Sequence, residues 1–311
     1  MSARSLAIVS SLVLAVFLVL RPLASSLGTP TLPDVRGASR LQPAAGGGEP
    51  PAVATPGGAG ASPAVAGAGA GRGADLPPEP GPEHAAESAA IERLIFERTN
   101  AERRAAGLAG LLPEATLAAV ARAHSADMLR RGFFDHVNLD GERPEDRVAA
   151  AHRRLIGVVS ENIWQGTGFA TGEAHEIAGK IVQSWMHSAS HRENVLRRES
   201  THLGVGLAWA GGCLYATQDF AAAWAFLDTP LAPAVAQGAA VTLLSHPFAG
   251  SGEAREFDLW SAARGLRASP PAPPAGARLD AEPGIYRVRF YFPQPGPGRF
   301  AVVSGPRIEV R

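Results

Sequence analysis

The sequence predicts an α+β protein, and three observations carry that expectation. Apolar residues recur at helical spacing from about residue 86 to 185, and strict alternation takes over beyond residue 200. Before both lies a long stretch of Ala, Gly and Pro with hardly an aromatic. Helices first and antiparallel strands after them indicate segregated layers of the α+β type.

In chain order, the first 27 residues read as a signal peptide or N-terminal anchor. Arg4 supplies a positive start, Leu6 to Leu20 form an apolar run, and Ala24 and Ser26 offer small residues at a cleavage site. The run is short for a membrane span, which needs roughly 18 or more apolar residues. Residues 28–85 are expected to be a disordered Ala/Gly/Pro linker, because such a segment cannot bury enough apolar area to offset its chain entropy. It would hold a folded module away from a membrane or wall.

Order is expected from about Glu83. Ile91, Leu94 and Ile95 have helical spacing, with Gly107 as the stop. A second helix enters at Pro113 and Glu114, carries Leu117, Val120, Ala121 and Met128 on one side, and ends at Gly132. A third starts at Pro144, with Glu145 and Asp146 favourably placed in its first turn. A fourth runs from about Glu173 to Trp185. "HLGVGLAWAGGCLYATQDFA" then reads as two strands joined by Gly211-Gly212, with Val205, Leu207 and Trp209 on one face. One domain therefore covers residues 86–225. A small all-β, sandwich-like domain is expected over 229–311. "IYRVRFYF" puts Tyr286, Val288, Phe290 and Phe292 on one side and Arg287 and Arg289 on the other. "PRIEVR" repeats the pattern, and "AVTLLS" and "REFDLW" are weaker strands.

Composition excludes several classes. Lys+Arg 29 balance Asp+Glu 29, and no basic stripe interleaves with aromatics, so nucleic acid is not an expected partner. The single cysteine, Cys213, rules out an internal disulfide framework. "HEIAG" at 175–179 begins like a zinc-protease helix, but Gly179 stands where the second histidine must be. No G-x-S-x-G elbow surrounds a serine, and Ser188 and Ser190 lack an S-x-x-K partner.

Three polar clusters remain: "FFDHVNLDG" with His136, "SENIW" with Glu161 read in a loop, and "SWMHSASHRENVL" with His191 just past a helix. Two imidazoles and a carboxylate are what Zn2+ or another divalent metal accepts in an open site. The same residues also serve as ordinary hydrogen-bonded packing, and spacing alone does not separate the two.

These motifs, in this order, resemble the bacterial branch of the CAP superfamily (cysteine-rich secretory, antigen 5 and pathogenesis-related 1 proteins; SCP domain). The likeness rests on Asn100 and Arg103, "ARAHSADM", "FFDH" with its D-G turn, "SENI", "WMHSASHRENVL" and "LGVG", over about residues 88 to 225. It implies an α-β-α sandwich, export, and a central cleft. His136 and His191 match the family's cleft histidines, and Glu161 matches its first glutamate. Many eukaryotic members carry a second glutamate three positions after the helix tryptophan; Ser188 stands there in this chain, with Glu193 the nearest other carboxylate. His124 is expected to be a hydrogen-bonded structural histidine, and Asn194 to tie loop backbone together.

The leading expectation is an extracytoplasmic binding or interaction module whose His136/Glu161/Ser188/His191 cleft takes a divalent metal or a lipid-like ligand. A competing one is a metal-dependent peptidase or esterase with His136 and His191 on the metal and Glu161 as base. A third is an adhesin for a cell-wall component, a glycan or another surface protein, acting through the C-terminal domain.

Overall fold

The helices form where the apolar period places them. In the computed structural model, which describes residues 84–169, 173–248 and 250–311, α1 spans Ala85–Ala105 with Ile91, Leu94 and Ile95 buried. A two-residue strand β1 (Leu112–Pro113) precedes α2 (Ala115–Arg131). Glu114 caps α2 by accepting from Leu117 N at 2.6 Å, and Gly132 ends it with φ 66°. α3 is Pro144–Ala151. The expected leader, and all but the last residues of the expected linker, lie outside the described residues.

Two elements correct the sequence reading. Residues read as a loop around Glu161 form the strand β2 (Leu155–Thr167). After α4 (Ala174–His187), the segment read as a turn forms a short helix α5 (Ala189–Val195), and His191 lies within it rather than beyond a helix. Strands β3 (His202–Ala210) and β4 (Cys213–Leu227) follow as a hairpin. Gly211 and Gly212 turn it with φ 57° and 75°.

The first sheet has the order β1-β3-β4-β2, with β2 antiparallel to β4. Helices cover both faces. Ile91, Ile95, Ile177, Ile181 and Trp185 of α1 and α4 meet Val205, Leu207, Trp209 and Phe220 on one side. Leu117 and Val120 of α2 and Val148 of α3 meet Leu155, Ala221 and Ala223 on the other.

Four motif residues have structural tasks. A Cβ on Gly204 would lie 2.1 Å from Ala118 N, and one on Gly206 2.0 Å from Arg122 N, so "LGVG" is the track on which α2 rests. Asn100 holds Leu111 at both backbone atoms, at 2.7 and 3.1 Å. Arg103 is wholly buried and donates to four carbonyls, those of Ala109, Val195, Arg197 and Ser200, at 2.8–3.2 Å. Those bonds satisfy a guanidinium that has no carboxylate beside it.

Beyond residue 228 come the short strands β5 (Ala234–Val235), β6 (Ala240–Val241) and β7 (Ser245–Pro247). They are followed by β8 (Glu256–Ser261), β9 (Leu266–Arg267), β10 (Ala277–Arg278), β11 (Gly284–Pro293) and β12 (Phe300–Val310). A five-stranded sheet runs β5-β12-β11-β8-β9, β10 and β6 make a two-stranded ladder, and β7 joins the first sheet beside β4. The C-terminal region is thus built on one main sheet with a small ladder. Its core of Phe257, Leu259, Val288, Phe290 and Phe292 also takes in Ile156, Ala225 and Leu227 from β2 and β4.

Candidate functional site

Glu161 sits midway along β2, directly opposite Asp219 on β4. Cross-strand partners share a face. Here it is the face under α2 and α3, since Thr217, two residues from Asp219, shares a 2.8 Å hydroxyl bond with Ser125 of α2. The Glu161 side chain is only 1% exposed. Its Oε1 lies 2.7 Å from His136 Nδ1, and its Oε2 accepts from Arg147 of α3 at 2.6 Å.

The loop after α2 delivers His136. Asn138 Oδ1 accepts from the backbone N–H groups of Asp140 and Glu142, and Gly141 turns the chain with φ 80°. Arg147 ties this loop down by donating to the carbonyls of His136 and Glu142 at 2.8 and 2.9 Å. The His136 side chain is 45% exposed. Because Nδ1 faces Glu161, Nε2 is the nitrogen left for a ligand. The bond to Glu161 raises the His136 pKa above its ordinary 6.5, against a smaller opposing effect of burial.

His124 is buried beside this pair. Its Nε2 lies 3.0 Å from the carbonyl of Asp135 and 3.9 Å from Glu161 Oε1, while Nδ1 is buried with no hydrogen-bond partner among the described residues. Burial lowers its pKa, so the ring is neutral at pH 7. Asp219 is the other buried group. Neither of its oxygens meets a described donor, and burial followed by the charge of Glu161 pushes its pKa far above the ordinary 3.8. Asp219 is opposite Glu161, and burial beside that carboxylate favours its protonated form, the arrangement of a carboxyl–carboxylate pair.

His191 approaches from α5. Asn162, next to Glu161 but on the opposite face, donates to the His191 carbonyl at 3.1 Å. Asn194 donates to the Glu161 carbonyl and to Asn162 Oδ1 at 3.1 and 2.9 Å, so it ties α5 to β2. The His191 pKa is lowered by burial and then by the charge of His136. Ser188 pairs its hydroxyl with Ser190 at 3.4 Å and has no described bond to the cluster. Glu193 points outward, 75% exposed and 3.7 Å from Arg197.

The structure thus joins His136, Glu161 and His124, ties the His191 backbone to Asn162 beside Glu161, and leaves Ser188 apart. Arg147 and Asp219 were missed by sequence reasoning. The alternation of "ATQDF" puts Asp219 on the inner face of a buried strand, and an acid there was the available signal.

A resident metal does not fit this donor set. Both oxygens of Glu161 are engaged, one with a guanidinium, which leaves two imidazoles where a catalytic zinc site has three protein ligands. Among the described residues no group of three or more His, Cys, Asp or Glu is arranged to hold a metal ion.

Comparison with known proteins places this geometry in a family. Residues 96–220 match the profile "CAP: Cysteine-rich secretory protein family". The chain is 34% identical over 122 residues to the protein YkwD of Bacillus subtilis, covering 39% of this chain and 44% of YkwD. It is 33% identical over 133 residues to the membrane protein YlbC of the same organism, covering 43% and 35%. It therefore spans less than half the length of either curated relative. Among solved structures, an extracellular protein containing a SCP domain from Bacillus anthracis aligns with a TM-score of 0.36 and 28% identity, covering 43% of this chain and 41% of that one. On that profile match, the chain carries, at residues 96–220, a domain of the cysteine-rich secretory protein (CAP) family.

Proposed function

We propose that the protein acts outside the cytoplasm as a binding module, with His136 and His191 as the groups that meet the ligand. Glu161 holds His136 in place and keeps a proton on it. The single observation that supports binding over turnover is the engagement of Glu161: Oε1 is on His136 and Oε2 on Arg147, so the buried carboxylate is held by protein groups rather than presented to water. No serine or cysteine nucleophile is bonded to either histidine among the described residues. The raised pKa of His136 favours imidazolium, which donates hydrogen bonds and cannot coordinate a metal. The ligand this suits is a lipid-like molecule with an acidic headgroup. The export-type segment at residues 1–27 supports the location.

Two assays test the reading. A peptide and ester library is incubated with the wild type and with Glu161→Gln, with and without Zn2+; neither protein should turn over substrate. Zn2+-dependent hydrolysis abolished by Glu161→Gln would replace binding with catalysis. Calorimetric titration with a short-chain phosphatidylglycerol should give an affinity about tenfold weaker in His136→Ala, the size of one charged hydrogen bond. Equal affinity would remove His136 from the binding surface.

A further inference from the structure

We propose that Arg287 and Arg307 of the C-terminal sheet are positioning residues for the His136–Glu161 site, so that the C-terminal region sets the geometry of the CAP-domain cleft. The two arginines are direct cross-strand partners on β11 and β12. Like charges in that arrangement repel, and a sheet folding for its own sake would avoid it. Each guanidinium instead has its own carboxylate on the CAP domain. Arg287 donates to Asp146 Oδ1 at 2.5 Å and to the Glu145 carbonyl at 3.1 Å; Arg307 donates to Glu142 Oε1 at 2.9 Å.

Those anchors flank the residue that holds the site. Asp146 is adjacent in sequence to Arg147. The Glu142 carbonyl accepts from Arg147, and the rest of Glu142 organises the histidine loop: its N–H donates to Asn138 Oδ1 and its Oε2 accepts from Asn138 Nδ2. From Arg307 a continuous set of bonds therefore runs through Glu142 to Asn138 and Arg147, and from Arg147 to the His136 carbonyl and Glu161 Oε2. Arg153 holds the other end of α3. It donates to the carbonyls of Ala149 and Ala150 on the helix, to that of Arg307 on β12 at 2.7 Å, and to those of Leu231 and Ala232 between the two regions. Helix α3 is thus gripped from the C-terminal sheet at both ends, while its one inward guanidinium sets the cleft.

This inference concerns the geometry of the site and stands whether the cleft binds or catalyses. It is tested on the full chain by NMR, following exchange of the His136 Nδ1 proton with water. Trp185 Nε1–H, which donates to the Ile163 carbonyl at 3.0 Å in the core, is the internal control. In Arg287→Gln/Arg307→Gln the His136 proton should exchange at least about tenfold faster while the Trp185 proton keeps its rate. Arg287→Lys, which retains the charge, should stay close to wild type. Should the double variant fail to fold, each single Gln variant is read the same way, with a smaller but measurable acceleration expected. The proposal is overturned by an unchanged His136 rate, by an equal acceleration at Trp185, or by a wild type whose His136 proton shows no protection.

Discussion

Two buried carboxylates, one in each region, are held in opposite ways. Asp258 on β8 is fully buried and both its oxygens are answered: Arg289 donates through Nε to Oδ1 at 2.8 Å and through a terminal nitrogen to Oδ2 at 2.6 Å, where Tyr291 also donates its hydroxyl at 2.6 Å and Arg267 lies at 2.8 Å. Burial alone would raise its pKa, but these donors hold it below the ordinary 3.8. Around Glu161 the answer is incomplete. Glu161 has His136 and Arg147, but among the described residues no donor reaches Asp219 and no partner reaches His124 Nδ1, and His136 stands half-exposed. A closed network specifies a fold; an open one keeps a titrating group at a surface.

The comparison breaks most visibly at Asp258. Asp258→Asn should lower stability by roughly 3 kcal/mol, because it leaves guanidinium groups without their carboxylate. Urea denaturation of the full chain reads this as a fall in midpoint, and a loss under about 1 kcal/mol would mean the network is decorative. The Asp258 contribution is present above pH 3.8 and is lost as pH falls through the depressed folded value.

Asp219→Asn should act in the opposite direction. The folded state keeps the Asp219 proton while the unfolded chain releases it above about 3.8, so stability declines as pH rises from there toward the raised folded value. Asparagine supplies a permanent N–H donor in its place. At pH 7 the variant should be more stable by about 1 kcal/mol or more, with the gain vanishing near pH 4. A destabilised variant at neutral pH would show that Asp219 is charged and has a partner.

The smallest effect is expected at Arg267. Its side chain is 47% exposed, and Asp258 retains Arg289 and Tyr291 without it. Arg267→Met should cost no more than about 1 kcal/mol. A loss as large as that of Asp258→Asn would mean the three donors act as one unit.

The sequence exposed the helices and the hairpin because each has a single apolar face: Ile91 to Ile95, Leu117 to Met128, and Val205 to Trp209 all pack as their spacing implies. His136, Glu161 and His191 stood out as polar residues at element boundaries, and only the family resemblance grouped them in one site. β2 was illegible because the first sheet is covered on both sides. Glu161 faces α3 and Asn162 faces α5, both are buried, and three consecutive polar residues therefore read as a loop. α5 was illegible because only Val195 of its seven residues is buried, which leaves no apolar period. Arg147 carries no local signature, since its role exists only between α3, the His136 loop and β2; Asp219 showed only as an acid within an apolar strand.

Glu161 is proposed to keep His136 protonated. His136 should titrate above 6.5 in the wild type by NMR, so the stability it adds is full below pH 6.5 and fades as pH rises through the raised value. In Glu161→Gln, His136 should return toward 6.5. An identical titration in both proteins, or a wild-type value at or below 6.5, would contradict the account.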